Sequence, residues 1–245
     1  MNRFRLTLEY DGAGFSGWQI QPRQETVQGV LEEALLPLCQ ESVRVIGSGR
    51  TDAGVHALEQ VAHFDTSAHH DAAVYLRALN ATTPRSVTVH AVSEVSRTFD
   101  ARRSARYREY LYRIVDRPNA PALDRHRVWH QRRRLDLERM QAALSLCRGK
   151  HDFSSFRAAA CQAKHPVRTV RRAEIRRSGD DIAIILGADA FLHHMVRNIV
   201  GTLVPVGLGR LSVERFSGIL HARDRKQAGA TAPPHGLYLR RVLYD

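Results

Sequence analysis

The amino-acid sequence predicts an α+β fold with mainly antiparallel sheets, and three observations predict it. Apolar and polar residues alternate in short segments such as Arg3–Tyr10, the period of a half-buried strand. Elsewhere apolar residues recur three and four apart, as in Val27, Val30, Leu31, Ala34, Leu35 and Leu38, the stripe of an amphipathic helix. The two periods succeed one another as strand, helix, strand, strand, helix, strand, the order of a ferredoxin-like unit.

Phe4, Leu6, Leu8 and Tyr10 make the inward face of the first strand, which ends at the turn Asp11-Gly12. Thr26 is placed to cap the helix that follows. Strands are expected near 43–47, 60–65 and 87–95, with a helix over Ala72–Leu79 between the last two. The second half repeats the plan loosely. It has a strand at Tyr107–Val115, a helix at Leu137–Cys147, and a hairpin of Val170–Arg177 and Ile182–Leu186 about Ser178-Gly179-Asp180-Asp181. Helices at Phe191–Val204 and Val213–Leu220 and a strand at Leu237–Leu243 complete it. Residues 1–100 and 101–245 are thus expected as two ferredoxin-like α/β domains. With no linker rich in Pro, Gly or Ser between them, their sheets are expected to pack together around a central basic cleft.

Charge speaks to partners. Thirty-seven Lys and Arg against twenty-five Asp and Glu leave +12, which attracts a polyanion. Only Lys150, Lys164 and Lys226 are lysine, and arginine suits phosphate and stacked bases. A GC-rich genome explains arginine in place of lysine, but not the excess of positive over negative charge. Cys39, Cys147 and Cys161 are odd in number and lack any Cys-x-x-Cys spacing, which argues against a disulfide framework and a zinc site and predicts a reducing, cytoplasmic setting. No apolar stretch approaches the ~20 residues of a membrane span, and Met1–Leu6, with no apolar run or small-residue cleavage site, is expected to be the first strand of the fold and not a secretory leader.

Residues 47–57, Gly47-Ser48-Gly49-Arg50-Thr51-Asp52-Ala53-Gly54-Val55-His56-Ala57, set one carboxylate between glycines and beside an arginine. Glycine lets backbone turn sharply there, so Asp52 is expected on a defined loop. A turn in which Asp52 merely caps the next segment is the plain alternative. On the strand Arg106–Ile114, Arg106, Arg108, Tyr110, Tyr112 and Ile114 share one face, and Tyr107, Glu109, Leu111 and Arg113 the other. Guanidinium groups beside phenol rings offer phosphate contacts and a stacking surface for an extruded base. Tyr112, nearer the strand centre, reads as core packing, and the strand alone leaves Tyr110 open between cross-strand packing and a site. Arg197 lies within the apolar helix opening Phe191-Leu192-His193-His194-Met195-Val196, where a buried guanidinium requires a partner. Asp52 is the natural candidate, an ion pair that would keep the acid ionised. His193 and His194, about 100° apart on a helix, read as helix-start residues and not as metal ligands; His63, His69 and His70 read as solvated. No nucleotide loop, phosphate loop or serine elbow occurs.

Gly49–His56, Phe191–Gly201 and Gly236-Leu237-Tyr238-Leu239 resemble the tRNA pseudouridine synthase A family. Glu9-Tyr10-Asp11-Gly12, Gly17-Trp18-Gln19 and Asp152-Phe153-Ser154-Ser155-Phe156 fit as well, so the resemblance spans almost the whole chain. It implies a cofactor-free isomerase, a homodimer, turning uridine into pseudouridine at positions 38, 39 and 40 of the tRNA anticodon stem-loop. Carried onto this sequence, Asp52 is the nucleophile, attacking ribose C1′ or uracil C6. Tyr110 stacks on the flipped base and takes the C5 proton, with Tyr112 the alternative. Arg50 fills the space the base leaves, and Arg197 holds Asp52. Glu109 departs from the family's pattern, in which a basic residue often precedes the tyrosine. The competing reading is a non-catalytic basic RNA-binding or RNA-chaperone protein of the same fold.

Overall fold

A computed structural model describes residues 1–244, and the chain forms two units, Met1–Arg106 with the segment from Tyr238 onward, and Tyr107–Leu237. In the first unit, β1 (Asn2–Tyr10) buries the predicted face of Phe4, Leu6, Leu8 and Tyr10. Next comes α1 (Val27–Cys39), whose N-cap Thr26 accepts a hydrogen bond from the Gly29 amide at 3.2 Å. It is followed by β2 (Ile46–Gly47), β3 (His56–Thr66), α2 (Ala72–Thr82) and β4 (Val87–Val95). The antiparallel order β4-β1-β3-β2 is the ferredoxin-like arrangement expected for this half. The closing strand Leu237–Leu243 runs parallel to the start of β3, Tyr238 opposite His56. Phe4, Phe64 and Tyr75 cluster where α2 meets the sheet, with centroids 4.7–5.5 Å apart, Phe64 stacked on Phe4 and edge-on to Tyr75.

Two expectations for this unit are corrected. The strand expected over 43–47 shortens to Ile46–Gly47, because the Val45 amide is taken by Glu32 Oε1 at 2.9 Å and not by a neighbouring strand. His63 is buried, not solvated, and its Nδ1 accepts the Ala101 amide at 3.1 Å; His69 and His70 are exposed as expected.

The second unit contains β5 (Tyr107–Asp116), β6 (Trp129–Gln131), α3 (Leu137–Ser145), β7 (Gly149–Asp152), β8 (Val167–Ser178), β9 (Asp181–Ala188), α4 (Met195–Gly207) and α5 (Val213–Ala222). Its sheet runs β5-β9-β8-β7, all antiparallel, with the short β6 parallel to β5. The α+β mixture is as expected, and the main elements β5, α3, β8, β9 and α4 repeat the strand, helix, strand, strand, helix succession of the first unit, with the short β6 and β7 and the extra helix α5 added. The hairpin expected about the Gly179 turn joins β8 directly to β9, just as no helix lies between β2 and β3, and α4 and α5 follow. Buried Asp116 ends β5, taking both Arg177 Nη atoms at 2.7 and 2.8 Å and the Leu135 amide at 2.8 Å.

Helix α4 begins at Met195, four residues later than its apolar run suggests. His194 adopts a left-handed φ of 62°, and the Met195 amide bonds back to Leu192 O, so Phe191–His194 forms a turn that holds aromatic and apolar groups without helical backbone. His193 and His194 therefore lie outside the helix with ring centroids 4.0 Å apart, and the angular separation expected of them does not apply. Among the described residues no helix is long and apolar enough to cross a membrane.

Candidate functional site

Asp52 sits in the loop between β2 and β3, and the residues around it are fixed one by one. The Val55 amide bonds Asp52 O at 3.1 Å, closing a turn whose third position, Gly54, has φ 76°. Thr51 is held on two sides. Its carbonyl accepts the Trp18 amide at 3.0 Å, and its hydroxyl shares a buried hydrogen bond of 2.7 Å with Tyr10. Gly17, at φ 93°, lets that approach happen, since a Cβ there would lie 2.6 Å from Thr51 O. Gly47 leaves room for the Trp18 indole, 2.6 Å from where its own Cβ would stand. Behind the loop, His56 Nδ1 lies 3.0 Å from both the Gly12 amide and Asp11 Oδ1, and its ring stacks on Tyr238 at 4.7 Å. Gly12 packs so closely on the Val55 carbonyl that no side chain fits.

The outcome is a half-buried carboxylate on a loop whose neighbours Thr51 and Val55 are buried, with Arg50 exposed beside it. Asp52 and Arg50 thus share one fastened loop, as the glycine spacing predicted. Sequence reasoning missed the residues that fasten it: Tyr10, Trp18 and Gln60. Gln60 carried one signal, an amide placed immediately before the apolar pair Val61-Ala62 in an expected strand.

The other two candidates belong to the second unit, Tyr110 on β5 and Arg197 in the first turn of α4. Tyr110 is 9% exposed, and its ring meets Phe191 edge-on at 5.0 Å, 83° between planes. Tyr112 is fully buried, donates to Pro233 O at 2.8 Å and stands edge-on to Trp129. Burial pushes its phenol far above the ordinary tyrosine range, and the nearby Arg197 offsets only part of that. Tyr112 is therefore core, which removes it as the substitute for Tyr110.

Glu109, immediately before Tyr110, is buried on the opposite face of the strand. It accepts from Arg172 Nη1 at 2.9 Å and from Tyr107 OH at 3.0 Å. Arg172 also bonds Glu174 at 2.9 Å, and these two carboxylates, Glu174 before Glu109, hold the Arg172 guanidinium well above its ordinary pKa. A carboxylate in mid-strand is thus accounted for by a partner 63 residues away. Arg197 is half-buried; its Nε donates to Ala232 O at 2.8 Å, and the Ala232 amide returns a bond to Arg197 O at 3.1 Å. That two-way bond ties the start of α4 to the segment preceding the last strand.

The fold and geometry can be set beside known proteins. A family model described as tRNA pseudouridine synthase matches residues 7–102 and 143–245. The chain is 50% identical to tRNA pseudouridine synthase A of Rhodospirillum rubrum over 245 residues, covering 100% of this chain and 88% of the relative. It is 49% identical to tRNA pseudouridine synthase A of Xanthobacter autotrophicus, covering 100% of both chains. Against the protein of that name from Bartonella tribocorum the identity is 43%, again over 100% of both.

Proposed function

The chain belongs to the tRNA pseudouridine synthase family, a family of isomerases, and from that premise we propose that it converts the uridines at positions 38, 39 and 40 of the tRNA anticodon stem-loop, with Asp52 as nucleophile. The observation that carries the reading is the Asp52 turn. A carboxylate on a loop pinned through Thr51, Gly54 and Val55 is held still, which a nucleophile positioned against one carbon requires.

The reaction breaks the N1–C1′ bond and rejoins the ring through C5. It conserves atoms and electrons, and asks only for a nucleophile, an acceptor for the C5 proton and a base held in place. Asp52 attacks ribose C1′ or uracil C6, and Tyr110 stacks on the base and accepts the C5 proton. Extruding a base costs a few kcal/mol, and one aromatic contact returns ~1–3 kcal/mol. Arg50, exposed beside Asp52, fills the gap left in the RNA stack and supplies part of the remainder. Arg197 pairs with Asp52 and keeps it ionised. The same reading makes the protein a homodimer acting in the cytoplasm, where its cysteines, all free, stay reduced.

The test is tritium release from tRNA labelled at uridine C5, comparing wild type with Asp52→Ala. Release by wild type alone, with both proteins binding the tRNA equally, is the expected result. Release by both would remove Asp52 from the chemistry. Release by neither on a competent substrate would favour the non-catalytic RNA-binding reading.

A further inference from the structure

We infer that Gln60 is a positioning residue for the catalytic loop, setting the aim of Asp52 through hydrogen bonds to the residues just before it. The inference rests on the reading of Asp52 as nucleophile. Gln60 is 0% exposed on β3, and an amide so enclosed is costly unless its polar atoms are met. Here they are met by the loop. Ser48 Oγ donates to Gln60 Oε1 at 2.6 Å, and Gln60 Nε2 donates to Gly49 O at 2.9 Å. The same Nε2 reaches Tyr10 OH at 3.5 Å, and that hydroxyl is the one bonded to Thr51. One side chain therefore addresses Ser48 and Gly49 directly and Thr51 through Tyr10. Arg50 between them is left exposed.

A local irregularity aims it. Tyr10 lies opposite Ala57, but Leu8 lies opposite Gln60, so β3 carries one residue more than β1 across this stretch. Without that bulge Glu59 would face Leu8, and Gln60 would point to the other side of the sheet. The bulge falls immediately after the loop, where re-aiming one side chain alters the loop itself.

The chemistry of the amide supplies a test with its own signature. Glutamine accepts at one end and donates at the other, matching the Ser48 hydroxyl and the Gly49 carbonyl. In Gln60→Glu only the protonated acid reproduces this pattern; the carboxylate would set negative charge against Gly49 O. Burial raises a carboxyl pKa toward neutrality, so the variant should change over within reach of ordinary buffers.

Single-turnover pseudouridine formation and tRNA affinity are measured for wild type, Gln60→Glu, Gln60→Met and Asp52→Asn, from about pH 5.5 to about pH 8.5. Gln60→Met is expected to slow the step roughly 100-fold, the cost of a misplacement near 1 Å, while Kd stays within about twofold. For Gln60→Glu, the rate relative to wild type should approach one at the acid end and fall as pH rises. Three results overturn the inference: a pH-independent ratio for Gln60→Glu, a wild-type rate for Gln60→Met, or a loss of rate matched by a loss of affinity. Should Gln60→Met fail to fold, the Gln60→Glu ratio decides alone. A wild-type rate for Asp52→Asn would instead sink the nucleophile reading, and the inference with it.

Discussion

His63 on β3 is 2% exposed, and to accept the Ala101 amide its Nδ1 must be unprotonated, with the ring neutral. Burial, and after it the neighbouring Arg3, holds the pKa below the ordinary histidine value; Asp100 and Asp65 pull the other way and do not prevail. The unfolded chain takes up a proton near its ordinary ~6.5, which the folded chain resists. The contribution of His63 is therefore complete above ~6.5 and is lost as pH falls from there toward the folded pKa. His63→Asn keeps an acceptor for the Ala101 amide and has nothing to titrate. Thermal melts from about pH 7.5 to about pH 5 should lose less on acidification in the variant than in wild type; parallel curves would reject the account. At this scale the sequence was readable where one residue answers to its own strand, as in the parity that put Tyr110 and Tyr112 on one face. It was silent where a partner is remote. Nothing near Glu109 names Arg172, and nothing near His63 names Ala101.

Elements were legible wherever periodicity alone decides them. The inward face of β1, the cap and stripe of α1, and the β8–β9 turn all lie where spacing puts them. Spacing failed where backbone geometry competes with it. An apolar run cannot report that His194 turns left-handed and delays α4, nor that Glu32 captures the Val45 amide and shortens β2. The loop around Asp52 was half legible: its glycines announced a tight turn, while the Gly17–Trp18 segment that grips it lies more than thirty residues upstream. That grip gives the element its own prediction. Gly17→Ala would have to adopt φ 93° and set a methyl 2.6 Å from Thr51 O, so either residue 17 or the loop must move. The variant should lose about 1–3 kcal/mol of stability, as overpacking does. Turnover should fall by more than the unfolded fraction explains, because Thr51 adjoins Asp52. Urea melts together with kcat on folded protein check both parts; a stability loss with kcat unchanged would mean that the grip supports the fold without aiming the acid.

Over the whole molecule, thirty-seven basic residues do not mean thirty-seven charges for RNA. Many arginines are engaged internally, Arg3 with Asp65 at 2.6 Å, Arg177 with Asp116 at 2.7 Å and Arg172 with Glu109 at 2.9 Å among them. Setting twenty-five acids against thirty-seven bases leaves twelve. Twelve unbalanced charges spread over a surface cannot all meet one ligand, so about half that number is a fair figure for the phosphates neutralised. Each neutralised phosphate releases a share of its counterions, giving a slope of log K on log salt near −4 to −5 and an affinity loss of about 10²–10³ between about 50 and 200 mM salt. Filter binding of unmodified tRNA across that range measures it directly. A slope near −10 would mean that nearly every excess charge faces the RNA, with little left to separate substrate from other polyanions. A slope near zero would transfer recognition to shape and to stacking on Tyr110, and the net charge would then have no part in binding. The intermediate value lets charge collect tRNA without choosing among its uridines, because counterion release is indifferent to sequence.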